Sequence, residues 1–513
     1  MILPVTAETI DQIQNAEFRA YAEKYVRIEE NFIQQVRATG IEIAEAEADC
    51  AYPQRAAALG ALGADVRNDA KSLVVNRLSA GCAACQTSLG SVTFFLSLKC
   101  HRNCFFCFNP NQENYEYYRT HTIDLLPELY KLSAAGQPVH SLALTGGEPL
   151  LYKEEAVQFF KTARAYFPKA DLRLYTCGDQ VDEAILAQLK DAGLDEIRFS
   201  IRLYDLEKGR RFTLEKIALA REYIPRVMVE MPVMPDSLEA MQEILQTLDE
   251  LGIFGINLLE LCFPLNNVEE FRSRGYRVKA RPFRVLYDYW YAGGLPISGS
   301  ETVCLDLLEY ALQAGLKLGV HYCSLENKHT GQVYRQNKAA PAPAMTEFSE
   351  RDYFLKSAKV FGADIALVQR IFDQKGFRQY ELHADQGSLE FPVRRVNLLK
   401  KADVEVAIST NILEMRNGEL VLRELSLAEN AENAPRRIRA FHEAFLDQIR
   451  SHGRVFVFGM VMAYKMKTGA LFDDVDNAPG MFLRGKLKLI PSTIDGIDDV
   501  RRIYDACVAE EER

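Results

Sequence analysis

The sequence predicts an α/β protein whose central part is a parallel sheet with helices outside it. Strand-like apolar runs alternate with amphipathic helix-like segments between residue 91 and about residue 323, and alternating βα units indicate a parallel sheet. The segment before this region reads as helical, and the segment after it mixes short strand-like runs with helices. The sequence therefore predicts an N-terminal helical extension, a central α/β domain and a C-terminal α+β accessory domain.

Residues 1–80 are predicted to form the helical extension. Apolar residues such as Ile10, Ile13 and Phe18 recur among charged residues, and no proline or glycine interrupts residues 6–39. Such spacing is typical of an amphipathic helix. We see no residues in this segment that suggest chemistry.

Residues 81–338 are predicted to form the central domain. Its helix-like segments include Lys153–Tyr166, Val181–Ala192, Thr213–Tyr223 and Ser237–Leu251. Its strand-like runs are short and rich in aliphatic residues, as buried parallel strands usually are. The seven runs are Ser91–Leu98, Ser141–Leu144, Leu172–Thr176, Glu196–Arg202, Arg226–Val233, Gly255–Leu261 and Leu316–Tyr322.

Residues 345–513 are predicted to form the accessory domain, behind an Ala/Pro-rich linker at residues 339–344. The Asn417-Gly418 pair between two strand-like runs indicates a type I′ hairpin. Cys507 is the only cysteine beyond the linker, so this domain cannot bind a cysteine-ligated cluster by itself. Helices are predicted over Asp352–Lys375, Ala434–Arg450 and Ser492–Glu511, and strands over Gln379–His383, Leu389–Val393 and Glu405–Ser409.

Composition narrows the functional classes. The chain has 513 residues, 48% of them hydrophobic and 26% charged, with a net charge of −10. This charge makes nucleic acid an unlikely partner, although the basic segment 271–284 indicates either an anionic partner or a solvated loop. No apolar run reaches 18 residues and the N-terminus lacks a basic secretory region, so no membrane span is expected. Eleven cysteines fit a cytoplasmic protein whose thiols serve metals.

Three cysteines follow the first strand-like run in a C-x3-C-x2-C array. They are Cys100, Cys104 and Cys107. Thiolates are the usual ligands of iron–sulfur clusters, and a cubane has four irons. Three cysteines therefore leave one iron without a protein ligand, which is where substrate or cofactor chemistry takes place. The alternative is three unrelated core cysteines.

Two further motifs decide between these alternatives. Phe106 precedes the third cysteine, and Thr145-Gly146-Gly147-Glu148-Pro149 follows the second strand-like run. With these motifs the chain resembles the radical S-adenosylmethionine (SAM) family, whose signature is C-x3-C-x-aromatic-C followed by G-G-E-P. The resemblance covers residues 91–262. It implies that the first six strands form a partial (β/α)6, TIM-like barrel, in which active residues lie at the C-terminal ends of the strands.

The resemblance also implies a set of site residues. The cysteine triad would bind a [4Fe–4S] cluster, and Phe106 and the Thr145–Glu148 strand end would lie against SAM. Glu230 lies in the fifth strand-like run, where an inward carboxylate would bind SAM or substrate and an outward one would form a surface salt bridge. The positions expected to contact SAM are Phe106, Thr145, Gly146, Gly147, Glu148, Ser200, Arg202 and Glu230.

The reaction that the resemblance implies is reductive cleavage of SAM to a 5′-deoxyadenosyl radical. The radical would abstract hydrogen from a peptide, protein or small-molecule substrate, and a ferredoxin or flavodoxin would donate the electron. The alternative is an iron–sulfur electron-transfer or metal-binding protein without SAM chemistry. An electron carrier normally has a fourth cysteine, and no cysteine occurs in the sixty-nine residues after Cys107.

A second cysteine pair, Cys82 and Cys85, precedes the first strand. A C-x2-C pair lets two thiolates chelate one metal but supplies only half of a tetrahedral site. We expect further ligands from Cys304 or Cys323. The site would hold a second iron–sulfur cluster or a mononuclear metal, and the alternative is two free thiols in a loop.

Overall fold

The computed structural model describes residues 2–45, 52–286, 294–416, 418–430 and 440–441, and two large sheets organise them. Strands are numbered β1–β19 and helices α1–α13 along the chain. The helix predicted over Ser492–Glu511 lies outside the described residues. The helix predicted over Ala434–Arg450 also lies outside them, except at Ala440–Phe441, where it is wrong because these two residues form strand β19.

The first sheet is the barrel. Its strands are β2 (Asp65–Arg67), β3 (Ser72–Val75), β4 (Ser91–Phe95), β5 (Ser141–Thr145), β6 (Asp171–Thr176), β7 (Glu196–Phe199), β8 (Arg226–Val233), β9 (Gly255–Glu260) and β12 (Gly319–Cys323). The spatial order is β2-β3-β12-β9-β8-β7-β6-β5-β4. Strands β4 to β9 and β12 run parallel, whereas β3 is antiparallel to β12 and β2 to β3.

All seven predicted strands are confirmed, and so is the partial TIM-like barrel. The strand after the sixth, β12, extends the parallel sheet by pairing with β9. Helices connect the strands and pack outside them, as parallel pairing requires. The helices of this part are α2 (Tyr52–Ala61), α3 (Ala80–Cys85), α4 (Tyr115–Tyr118), α5 (Leu126–Ala134), α6 (Lys153–Tyr166), α7 (Glu183–Asp191), α8 (Glu207–Arg221), α9 (Leu238–Glu250), α10 (Val268–Ser273), α11 (Ser300–Gln313) and α12 (Thr330–Lys338).

Alternate residues of each barrel strand face different environments. On β6, Leu172 and Leu174 belong to the hydrophobic core between the sheet and its helices. The side chains at odd positions of β6 point the other way, into the barrel interior. There Tyr175 lies beneath the guanidinium groups of Arg173 and Arg198, 5.3 and 5.5 Å from its ring centroid. The barrel therefore has an apolar outer layer and a polar interior.

The N-terminal segment is not purely helical. Residues 65–75 form the antiparallel pair β2 and β3, which widens the barrel sheet beside β12. The turn between them places Asn68, Asp69 and Ala70 at positive φ angles of 52°, 54° and 61°. A two-strand hairpin is marginal alone, so its pairing with β12 stabilises it. The domain boundaries themselves stay predictions.

The second sheet has eight strands, paired antiparallel. They are β1 (Ile2–Pro4), β13 (Glu347–Phe348), β14 (Leu355–Phe361), β15 (Glu381–His383), β16 (Ser388–Pro392), β17 (Ala407–Arg416), β18 (Glu419–Asn430) and β19. The helix predicted over Asp352–Lys375 is half wrong, because β14 occupies its first part and α13 (Asp364–Gln374) its second. Central pairing of β14 with β16 and β17 overrides local helix propensity there.

Helix α1 (Ala16–Ala38) joins the two sheets. Near its start, Phe18 stacks on Phe361 of β14 with ring centroids 4.7 Å apart. Near its end, Phe32 and Val36 pack in a cluster that contains Phe105 of the cysteine loop. A short hairpin, β10 (Cys262–Phe263) with β11 (Leu295–Pro296), contributes to the same cluster.

The basic segment 271–284 turns its charges toward the protein. Lys279 lies 2.5 Å from Glu260 and 3.0 Å from Glu301, and all three side chains are largely buried. The five arginines of the segment also pair with acidic residues, namely Arg272, Arg274, Arg277, Arg281 and Arg284. Of the basic residues of the segment only Lys279 is buried, and four of the five arginines stay about half exposed, so the anionic partner and the solvated loop both stay predictions. Separately, none of the described helices combines the length and apolar character needed to cross a membrane.

Candidate active site

The cysteine loop begins where β4 ends, at the C-terminal edge of the barrel. Cys100 is exposed, and Cys104 and Cys107 are half-buried. Burial and the neighbouring charges of Cys104 and Cys100 raise the pKa of Cys107 to about 11. Burial also raises the pKa of Cys100, with Glu148 and Cys104 adding to the effect. The three thiols therefore lie close enough for their charges to interact, as ligands of one cluster must.

The glycine turn after β5 is hydrogen-bonded to this loop through the backbone. The N–H of Gly147 donates to Ser97 O at 2.9 Å, and the N–H of Glu148 donates to Lys99 O at 2.8 Å. From the far side of the cysteine motif, Asn109 Nδ2 donates to Gly146 O at 2.8 Å. These three bonds fix the turn against both ends of the cysteine motif.

Only glycine fits at the two turn positions. A Cβ on Gly147 would lie 1.9 Å from Lys99 O, and one on Gly146, whose φ is +127°, would lie 2.4 Å from Ser97 O. Backbone oxygens cannot move away as a flexible side chain could. The two glycines thus allow the turn to lie directly against the cysteine loop, and the three-thiol donor set fits a cluster with one open iron.

Glu148 is a structural carboxylate. It is 2% exposed, and it accepts hydrogen bonds from Leu150 N at 3.0 Å, Thr176 Oγ1 at 2.9 Å and Cys177 N at 2.6 Å. Its two oxygens join the end of β5 to the end of β6. The sequence motif placed Glu148 correctly at the site, and the structure gives it a supporting position.

Aromatic packing anchors the cysteine loop. Phe105 is 7% exposed and lies edge-to-face against Phe271 at 5.2 Å and Tyr204 at 5.6 Å. Arg274 covers the same ring at 4.5 Å. Phe106, the aromatic residue of the motif, is half-buried and touches Tyr204 at 6.2 Å. The sequence motif singled out Phe106 as the aromatic residue of the site. In the structure, the neighbouring Phe105 is the ring that packs into the core and anchors the loop.

The ends of β5 and β7 supply the remaining predicted SAM positions. Thr145 and Ser200 are both half-buried, and the Ser200 N–H donates to Thr176 O at 3.1 Å. Arg202 pairs with Asp205 and lies over the Tyr204 ring at 5.6 Å. The guanidinium of Arg202 is therefore held at the same edge of the barrel as the cysteine loop.

Glu230 faces the barrel interior. Arg198 donates to it, and Asn257 Nδ2 donates to its Oε2 at 2.7 Å. Burial would raise the pKa of Glu230, but Arg198 and Asn257 outweigh burial and lower it. The outward-facing alternative for Glu230 is therefore wrong, and its carboxylate belongs to a charged interior network.

Three of the four other predicted ligands meet in this interior. Arg198 Nη2 and Asn257 Nδ2 each donate to Cys82 Sγ at 3.2 Å. Burial alone would raise the pKa of Cys82, but Arg198 and His321 lower it to about 6. Burial, followed by the charges of Cys85 and Cys82, raises the pKa of Cys323 to about 12. The charges of Cys82 and Cys85 thus reach Cys323, although the three thiols are not gathered within 4.8 Å of one another.

Cys304 lies elsewhere. It is 0% exposed in α11 and belongs to the hydrophobic core outside the sheet, whereas the Cys323 side chain is on the interior face of β12. A ligand role for Cys304 beside Cys82 is therefore wrong, because the sheet lies between them. Cys304 packs like a small apolar residue.

Sequence reasoning missed the interior polar residues. Arg173, Arg198, Asn257 and His321 all lie on inward positions of barrel strands. A pattern in the sequence could have revealed them, because Arg173 stands between Leu172 and Leu174, and Arg198 between Ile197 and Phe199. A charged residue inside a strongly apolar strand needs a buried partner or ligand.

Comparison with known proteins agrees with this geometry. Residues 95–248 match the family model described as the radical SAM superfamily, a range that contains the cysteine loop, the glycine turn and strands β5 to β8. The cysteine pair Cys82 and Cys85 precedes the matched range.

Individual relatives cover parts of the chain. A protein of Methanocaldococcus jannaschii named as a candidate glycyl-radical enzyme activating enzyme is 29% identical over 289 residues, 53% of this chain and 72% of that protein. A candidate GTP 3′,8-cyclase of Methanococcus aeolicus is 24% identical over 35% of this chain and 65% of its own length. Among solved structures, SuiB of Streptococcus suis bound to its precursor peptide SuiA has 15% identity and a TM-score of 0.34. That match covers 45% of this chain and 48% of SuiB.

Proposed function

We propose that this chain is a radical SAM enzyme whose [4Fe–4S] cluster is bound by Cys100, Cys104 and Cys107, because residues 95–248 match the model of the radical SAM superfamily. We propose further that it cleaves SAM reductively and uses the product radical on a peptide, protein or metabolite. It would act in the cytoplasm, where the thiols stay reduced, with a ferredoxin or flavodoxin as electron donor.

One observation carries this proposal: the glycine turn is bonded to the cysteine loop at positions where no side chain fits. Gly146 and Gly147 approach backbone oxygens on the cysteine loop. The turn can therefore lie directly against the loop that would bind the cluster, where it is placed to contact a ligand of the open iron. An ordinary four-cysteine cluster would have no need of such a turn.

The residues of this chain would have three tasks. When bound, the cluster and SAM supply a 5′-deoxyadenosyl radical that abstracts hydrogen. Cys100, Cys104 and Cys107 would bind iron as thiolates, and metal binding would displace the protons that burial favours at Cys100 and Cys107. Gly146 and Gly147 would orient SAM through the backbone, with Arg202 near its charged groups. The aromatic packing around Phe105 would hold the loop in place and exclude water.

The substrate would enter the polar barrel interior, below the cysteine loop. Arg198, Glu230 and Asn257 supply polar groups there. A protein substrate is favoured by the relative named as an activating enzyme, and a peptide or metabolite would use the same space.

The test is an anaerobic assay for 5′-deoxyadenosine with SAM and a strong reductant. We expect product from the reconstituted wild type, none from Cys104→Ala, and wild-type amounts from Cys304→Ala, whose thiol lies in the core. A brown protein that binds SAM but yields no product would be an enzyme that cleaves SAM only when its substrate is present. A brown protein that does not bind SAM would support the electron-transfer alternative. A colourless protein would contradict the proposal.

We also propose a second metal site at Cys82, Cys85 and Cys323, holding an iron–sulfur cluster or a mononuclear metal. Support comes from the C-x2-C spacing of Cys82 and Cys85, from the charges of both thiols reaching Cys323, and from the lowered pKa of Cys82, since thiolates are the ligand form. Metal analysis of a Cys82→Ser/Cys85→Ser variant tests it. We expect a loss of about four irons per chain for a cubane or of one metal ion. An unchanged metal content would overturn this site.

A further inference from the structure

Two buried arginines, Arg173 and Arg198, face the same barrel interior. Among the described residues, only Arg198 has hydrogen-bond acceptors for its guanidinium. Arg198 donates to Glu196 at 2.6 Å, to Ser79 at 2.9 Å, to Cys82 at 3.2 Å and also to Glu230. Its guanidinium is thus surrounded by partners. Arginine stays protonated in proteins, so this network is what a buried guanidinium requires.

Arg173 lacks such partners. It is 5% exposed, and within the described residues no hydrogen bond or ion pair reaches its guanidinium, whose Nε is a buried donor without an acceptor. Its contacts are the Tyr175 ring, 5.3 Å away, and Gly81, where a Cβ would lie 1.9 Å from Nη1. The charges of Glu196 and Cys82 act on Arg173 without hydrogen-bonding to it. Its buried N–H donor therefore still lacks an acceptor, which an oxyanion would supply.

Side chains on the inward face of the barrel near Arg173 keep access to solvent. Tyr175 on β6, Glu230 on β8 and Cys323 on β12 are half-buried rather than buried. Cys82, which accepts a hydrogen bond from Arg198, is half-buried as well. A small ligand could therefore reach this side of the sheet.

We propose that Arg173 binds an oxyanion of the substrate, a carboxylate or a phosphate, inside the barrel. The inference rests on the proposed function and names the substrate class. The anion is distinct from the SAM carboxylate, because Arg173 lies three residues, about 10 Å, before the C-terminal end of β6. A guanidinium binds either oxyanion through paired N–H donors.

The test compares two alkylating reagents that differ in charge, iodoacetate and iodoacetamide, on the anaerobic holoprotein. Cys82 and Cys85 lie in one tryptic peptide, residues 78–99, without any cysteine of the triad, so mass spectrometry reads them separately. If Arg173 binds the carboxylate of iodoacetate, the peptide should react at least about tenfold faster with it than with iodoacetamide. Inorganic phosphate and acetate, added as competitors, distinguish the preferred oxyanion.

Variants separate anion binding from a simple effect on the thiols. Arg173→Gln should bring the rate ratio to about one, Arg173→Lys should retain part of it, and Arg77→Gln, outside the barrel, should leave it unchanged. If Arg173→Gln slows both reagents equally, Arg173 only stabilises the thiolate and the proposal is overturned. A wild-type ratio near one overturns it as well.

If a bound metal protects both thiols from both reagents, calorimetric titration with inorganic phosphate decides. Binding by the wild type that Arg173→Gln abolishes supports the proposal, and no binding, or binding that the variant retains, overturns it. Neither measurement needs SAM cleavage. Failure of this inference therefore remains distinguishable from failure of the proposed function.

Discussion

At the scale of single residues, Gly147 has the least freedom to change. Its missing side chain lets the turn after β5 lie against the cysteine loop, with the Lys99 carbonyl oxygen where a Cβ would be. Both partners are backbone, so neither can rotate away. Glycine is required at position 147 because the two backbones lie so close together. Of the two glycines in this turn, Gly146 is the one with a positive φ angle.

We predict that Gly147→Ala displaces the cysteine loop. Iron retention and SAM binding should both fall at least about tenfold, because the 1.9 Å contact must be relieved by backbone movement. Iron analysis and SAM titration measure this. Gly209→Ala is the control, since a Cβ there would meet its nearest neighbour at 3.5 Å within α8. Wild-type iron and SAM binding in Gly147→Ala would contradict the prediction.

At the scale of elements, α1 connects the two sheets through its two halves. Its first half packs Phe18 and Tyr21 against Phe361 of β14. Its second half packs Phe32 and Val36 into the cluster that holds Phe105. One helix thus packs against the second sheet at one end and against the cluster around Phe105 of the cysteine loop at the other.

We predict that Phe18→Ala and Phe32→Ala have different consequences. Each removes a buried ring and should lower the free energy of unfolding by about 3–5 kcal/mol. Phe32→Ala should also reduce iron retention, because its ring supports the cluster around Phe105, whereas Phe18→Ala should not. Denaturant unfolding and iron analysis of the two variants check this. Equal iron loss in the two variants would contradict the prediction that only the second half of α1 supports the cysteine loop.

The pairing of β15 with β16 predicts a pH effect on stability. His383 Nε2 lies 2.9 Å from Glu390 Oε2, and this hydrogen bond raises the pKa of His383. A raised pKa in the folded state means that the stabilisation is complete below the unfolded pKa of about 6.5 and is lost as pH rises through the folded value. It is also lost in acid, as Glu390 protonates.

We therefore expect His383→Gln to be less stable than the wild type near pH 6, by about 0.5–1 kcal/mol. The difference should vanish near pH 9, where both proteins lack the charge. Thermal unfolding at the two pH values measures it, with the exposed His140→Gln as the control. A difference that is the same at both pH values would exclude the charge as its cause.

At the scale of the whole molecule, segments that are distant in sequence meet in the barrel interior. Cys82 lies on α3 before β4, Arg198 and Asn257 lie on β7 and β9, and His321 lies on β12 after the basic segment. The helical connections place Arg198, Asn257 and His321 on inward positions of parallel strands. The outer face of the same strands is apolar and packs against the helices. The outward residues of each strand thus stabilise the fold, and the inward residues form the polar interior.

The sequence by itself determined the local features of this protein. The apolar runs identified the seven parallel strands of the nine-stranded barrel sheet, because a parallel strand buried on its outer face must be apolar over several residues. The cysteine spacing and the two glycines identified the loop and the turn, since only those residue types provide adjacent thiols or bare backbone. These features depend on residues within a few positions of one another.

Only the tertiary structure decided which of these features meet. The sequence offered Cys304 and Cys323 as equal partners of Cys82, and the sheet places one in the core and the other in the interior. It could not show that Glu230 faces inward or that Arg173 lies without an acceptor. Strand register and barrel curvature set these contacts, and both arise from packing across the whole chain rather than from any single segment.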